Sequence, residues 1–145
     1  MRGLFLLLHV LSASTWLGAA LWVAGDVKRT LALGRPAAEA LPARVSPALR
    51  LDLLAGVATI ITGVAILALD RLHPAPGIVA GMALALARFG VVAFAMIPSW
   101  KAIEARLASG ADLAEARPLA RRLAMLSGVA HTFWLLALAG MIFQG

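Results

Sequence analysis

The sequence contains no cysteine. Disulfides, thiolate metal centres and covalent haem attachment through C-x-x-C-H are therefore excluded. Charge is also scarce: 14% of the 145 residues are charged, against about 25% in a soluble globular domain. Disordered chains are polar and charge-rich, so disorder is excluded too. No Walker motif, Rossmann glycine fingerprint, G-x-S-x-G or H-E-x-x-H occurs, which leaves soluble kinase and hydrolase chemistry without support. The methionines Met1, Met82, Met96, Met125 and Met141 form no M-x-x-M cluster, which argues against a dedicated copper pathway.

What the sequence has is apolar surface. Hydrophobic residues make up 62% of the chain, and the mean hydropathy is +0.92. A single core of this size cannot hide that much apolar surface, so the chain reads as an integral membrane protein. Thirteen Lys and Arg against seven Asp and Glu give a net charge of +6. In a membrane protein such an excess belongs to cytoplasmic loops. Nucleic acid is not an expected partner, because no basic stretch is interleaved with aromatics.

Four apolar runs approach the ~20 residues needed to cross a bilayer core. They cover 3–25, 53–69, 77–97 and 123–143, and in lipid each must be helical to satisfy its own backbone. The fold class is thus an all-α integral membrane protein, a four-transmembrane-helix bundle in one domain. Met1-Arg2 and the following apolar run resemble a signal peptide with a cleavage region at Leu11–Ser14, but the run continues to Gly25 and reads as a retained first helix. Loop 26–50 carries Lys28, Arg29, Arg35, Arg44 and Arg50; loop 98–122 carries Lys101, Arg106, Arg117, Arg121 and Arg122. Arg71 is the one cation in the turn at 70–76, so both basic loops are expected in the cytoplasm and both termini on the outer, periplasmic side. Pro36, Pro42 and Pro47 predict a broken surface helix in the first loop. In the second, a helix is expected over 100–107, with Gly110 and Pro118 ending pieces and Trp100 and Lys101 as interfacial anchors. Small residues recur every four positions at Ala55/Thr59/Gly63, Gly77/Gly81/Ala85 and Ser14/Gly18, which lets helices approach closely in lipid, within the chain or against other subunits.

Polar groups within the spans are the candidate functional residues. His9 lies about 9 Å below the outer surface at the helical rise, and His131 about 18 Å; a neutral imidazole is a good ligand for haem iron or copper. Trp16, two turns from His9, can line a flat aromatic pocket. Arg88 is mid-span and cannot lose its charge, so it needs an anion. Asp52, a cofactor or substrate carboxylate, and another subunit are the candidates, with the cofactor carboxylate favoured. Asp52 itself reads most simply as an interfacial helix start. His73, in the outer turn, shares a side of the membrane with His9 and is a possible co-ligand for a metal.

The string Leu8-His9-Val10-Leu11-Ser12-Ala13-Ser14-Thr15-Trp16-Leu17-Gly18 resembles the opening of the CopD-like membrane domain, of the form L-H-x-x-x-x-x-x-W-x-G followed by a basic loop. Thr62-Gly63 stands where that family's second helix often carries a Thr-Gly pair. The HemJ-type protoporphyrinogen oxidases, which are b-haem proteins, are similar in length, four-helix layout and first-helix histidine, and Arg88 matches the place of their third-helix basic residue. The resemblance implies that His9 is a cofactor ligand, for haem in one branch and copper in the other. The leading expectation is a b-haem redox protein of a bacterial inner membrane, with His9 and His131 as axial ligands and Arg88 neutralising a propionate. The alternatives are a structural subunit of a larger respiratory or photosynthetic complex, and a copper transport or resistance protein using His9 and His73.

Overall fold

The computed structural model describes residues 1–70 and 74–143. Among these residues all regular structure is helical: α1 (Arg2–Ala19), α2 (Val23–Ala32), α3 (Arg35–Ala38), α4 (Leu41–Asp70), α5 (Pro76–Val91), a π-helical turn (Val92–Met96), α6 (Ile97–Ala108) and α7 (Leu113–Ile142). They join into four rods long and apolar enough to cross a membrane, over Arg2–Ala32, Arg35–Leu69, Pro76–Ala108 and Leu113–Ile142.

The stretches expected as loops at 26–50 and 98–122 are largely helix. The real connections at that end are the short breaks at 33–34 and 39–40 and the turn at 109–112. A 30-residue helix is about 45 Å long and overruns a hydrocarbon core of about 30 Å, so the basic residues ride on overhanging helical turns. Charge does not interrupt a helix, and neither do these prolines. Pro42 lies in the first turn of α4, and Pro118, expected to end a piece, lies inside α7. Pro98 has no N–H to return to the preceding turn, and the helix widens into its π turn immediately before it. What stops these helices is Gly34 at φ 99° and Gly110 at φ 74°, backbone conformations open to glycine. Asp112 restarts the chain by accepting the N–H of Ala114 at 2.9 Å.

The two ends of the bundle differ in packing. At the basic end, Val27, Leu31, Leu41, Leu49, Ile103 and Leu123 form one buried core joining all four rods. Trp100, expected as an interfacial anchor, is 2% exposed in that core and donates its indole N–H to the Ser46 hydroxyl at 2.9 Å. Toward the termini the rods separate into two antiparallel pairs, α1 on α4 and α5 on α7, with sparse contact between the pairs. Small residues cause this. A Cβ on Gly81 would lie 2.9 Å from the Ala137 carbonyl oxygen, one on Gly140 would lie 2.9 Å from that of Gly77, and one on Gly77 would strike the Gly140 carbonyl. Backbones within a pair thus meet closely, while Leu4, Leu7, Leu11, Leu135 and Leu136 point outward. The glycine faces of α4 and α5 are used within the chain. Gly18 is different, since a Cβ there would meet nothing within 4 Å.

Candidate functional site

The break between α1 and α2 sets the floor of the site. The N–H of Ala20 turns to the Gly18 carbonyl, so it does not return to Trp16 as a continuing helix requires. The Trp16 carbonyl instead accepts a hydrogen bond from Arg88 Nη2 at 2.9 Å. The same nitrogen donates to Asp52 Oδ1 at 2.7 Å, Nη1 reaches Oδ2 at 3.4 Å, and the guanidinium carbon lies 4.2 Å from the Trp16 ring centroid. Arg88 and Asp52 are 1% and 0% exposed. The Trp16 indole is seated against Gly56, where a Cβ would lie 2.8 Å from its Nε1.

Asp52 is therefore not an interfacial helix start but the buried counter-ion of Arg88, eleven residues into α4. The anion left open between Asp52, a cofactor carboxylate and another subunit is supplied by the chain itself. The sequence holds a signal for this, since an intramembrane cation must find an anion and Asp52 borders the second apolar run.

His9 sits above this floor, toward the termini. Its Nδ1 lies 3.0 Å from the Thr59 carbonyl and 3.1 Å from the Thr62 hydroxyl. A carbonyl only accepts, so Nδ1 carries the proton and Nε2 holds the lone pair of the neutral ring. A Cβ at Gly63 would lie 3.1 Å from His9 Cε1. The Thr62-Gly63 pair thus seats the imidazole: the hydroxyl of Thr62 meets the ring, and the missing side chain of Gly63 leaves room for it.

Two apolar cavities flank His9 in the gap between the helix pairs. One, of about 320 Å³, includes His9 and Trp16 of α1, Arg88 of α5 and Trp134 of α7 among its walls. The other, of about 290 Å³, includes His9, Thr59, Gly63 and Met82. Met141 and Ala85 border both. Their rims carry Val10, Leu138, Val64 and Leu86, all exposed on the apolar surface, so both cavities open sideways toward lipid. At the inner end of the larger one, Arg88 Nε is buried without an acceptor among the described residues.

His131 does not line either cavity. Its Nδ1 is 2.6 Å from the Ser127 carbonyl, one turn back on α7, and its Nε2 is buried with no partner among the described residues. His9 and His131 are thus not brought to one cavity. His73 lies outside the described residues. Among those described, no three His, Cys, Asp or Glu side chains gather where a metal could bind. Trp134 and Gly56 carry no signal of their roles in the sequence, because those roles arise only from contact with another helix; Thr59 shows only its place in a small-residue repeat, and Ser127 only its four-residue spacing from His131.

No protein-family profile matches the chain, and no curated protein or solved structure matches it.

Proposed function

We propose that this chain is a multi-pass membrane redox protein that binds b-type haem at the lateral gap between its helix pairs, with His9 as the axial ligand. One observation carries this reading: His9 donates Nδ1–H to a carbonyl and leaves Nε2 unprotonated beside two apolar cavities. Metal-ligating histidines are commonly held in this way, by a hydrogen bond through the other ring nitrogen. The resemblance of Leu8–Gly18 and Thr62-Gly63 to CopD-like and HemJ-like domains supports the same residue.

The donor set fits one axial histidine and does not support the bis-histidine arrangement, because His131 borders neither cavity. Each cavity lies near the ~300 Å³ lower end of small-molecule sites, and the two lie on either side of the imidazole. Trp16 and Trp134 offer flat aromatic walls in the larger cavity. Arg88 already has its charge matched by Asp52, and its Nε–H, which has no acceptor among the described residues, is free to donate to a ligand. Haem held by a single protein ligand supplies an iron with a coordination position open to a second ligand or a substrate.

The Lys and Arg excess of the basic end supports a cytoplasmic location for it, with both termini outside and the chain in a bacterial inner membrane. The structural-subunit reading rests on Arg88 needing a partner's carboxylate and on small-residue faces needing a partner helix. Asp52 meets the first need internally, and the glycine faces of α4 and α5 are used within the chain, while the Gly18 face has no neighbour within it.

The test is an absorption spectrum of the detergent-purified protein, oxidised and dithionite-reduced, for wild type, His9→Ala and His131→Ala. A Soret band with sharp reduced α and β bands, lost in His9→Ala and kept in His131→Ala, is expected. A colourless wild type from haem-replete cells would overturn the reading, and copper bound in its place would favour the metal-transport alternative.

A further inference from the structure

At the basic end, three cations are tied down within the chain, and others lie beside a carboxylate, as Arg50 and Lys101 lie beside Glu104. Arg44 pairs with Asp26 at 3.0 Å, and Arg106 pairs with Glu115. Arg35 donates to the carbonyls of Leu107 and Ala111. Lys28, Arg117 and Arg121 do none of this. They converge on a concavity of about 180 Å³ between α2 and α7, no carboxylate is among its walls, and none of the three has an ion-pair or hydrogen-bond partner among the described residues.

The floor of this concavity is Leu31 and Ala120, both 3% exposed. Three uncompensated cations over an apolar floor, on helical turns that overhang the membrane-spanning segments, match a charged head joined to a hydrocarbon tail. We propose that Lys28, Arg117 and Arg121 form a binding site for the phosphate group of an anionic phospholipid, its acyl chain running back toward the membrane-spanning part of α7 past Met125, one turn beyond Arg121 and 64% exposed. Basic pockets between transmembrane helices are suited to such headgroups, with each cation near the surface contributing independently to retention. The inference requires the membrane placement of the chain and is independent of haem.

The test uses the full-length protein in detergent, equilibrated with short-chain phosphatidylglycerol, phosphatidylcholine or inorganic phosphate, and reads bound lipid by native mass spectrometry. Phosphatidylglycerol is expected to be retained in preference to phosphatidylcholine. The variant Lys28→Gln/Arg117→Gln/Arg121→Gln is expected to lower its affinity roughly a hundredfold. The charge-matched control Arg50→Gln/Lys101→Gln/Arg122→Gln and the charge-preserving Arg117→Lys/Arg121→Lys are expected to stay within a few-fold of wild type. Equal retention of the two lipids, or an equal loss in the control, would overturn the site. Displacement of the lipid by millimolar phosphate would mark a free-phosphate site and overturn the lipid assignment. Should the glutamine variant fail to fold, the wild-type lipid comparison and the lysine variant decide the matter.

Discussion

Arg88 and Asp52 meet at 2.7 Å, with 1% and 0% of their side chains exposed. A charge so placed is tolerable only because the other is there: removing one partner of a buried pair is strongly destabilising, since it leaves the other uncompensated. Asp52→Leu is therefore expected to destabilise the bundle by about 3–5 kcal/mol. The double variant Asp52→Leu/Arg88→Met is expected to recover most of that loss. Denaturant titration in mixed micelles closes the cycle, and additive losses in the double variant would refute the pairing.

The glycines divide into those that hold a neighbour and those that hold nothing. A Cβ at Gly56 would press the Trp16 indole at 2.8 Å, while one at Gly18 meets nothing within 4 Å. Gly56→Ala is expected to lose about 1–3 kcal/mol through overpacking, and Gly18→Ala to stay within about 0.5 kcal/mol of wild type. Thermal unfolding followed by circular dichroism compares the two directly.

Thr62 supplies the hydroxyl at His9 Nδ1, 3.1 Å away, while the Thr59 carbonyl keeps the second contact. Thr62→Val is expected to change stability by only about 0.6 kcal/mol, the usual scale for such bonds in membranes. Loss of such an outer contact lowers metal affinity by about 10–100-fold, so haem titration should show a far larger effect than unfolding does. A Thr62→Ser variant, which keeps the hydroxyl, should restore binding.

His131 Nε2 is buried without a partner among the described residues, and the ring's other nitrogen bonds back within its own helix. Replacing a polar group that gains little by an apolar one of similar shape is close to neutral. His131→Leu is expected to unfold within about 1 kcal/mol of wild type and to bind haem unchanged. A lost Soret band in that variant would bring His131 back as a ligand.

The membrane class and the four rods follow from the sequence alone, because 62% hydrophobic composition leaves no other solvent for these side chains, and in lipid runs of this length satisfy their backbone as helix. His9 and Arg88 stand out for the same reason, as polar groups within apolar runs. The rod lengths do not, because hydropathy marks where lipid ends and says nothing about where backbone hydrogen bonding ends. Lys28, Arg44 and Arg117 fall in polar stretches that read as loops, yet they sit on helix.

Which groups meet is decided only by the fold. Asp52 and Arg88 are 36 residues apart, and nothing local brings one to the other. Their meeting depends on the depth at which α4 and α5 lie side by side. His9 faces Thr59 and Gly63 because glycine on α4 admits its ring, and it misses His131 because α1 packs on α4 while α7 packs on α5. Periodicity along one helix settles which residues share a face; the partner of that face is set by how closely another backbone can approach.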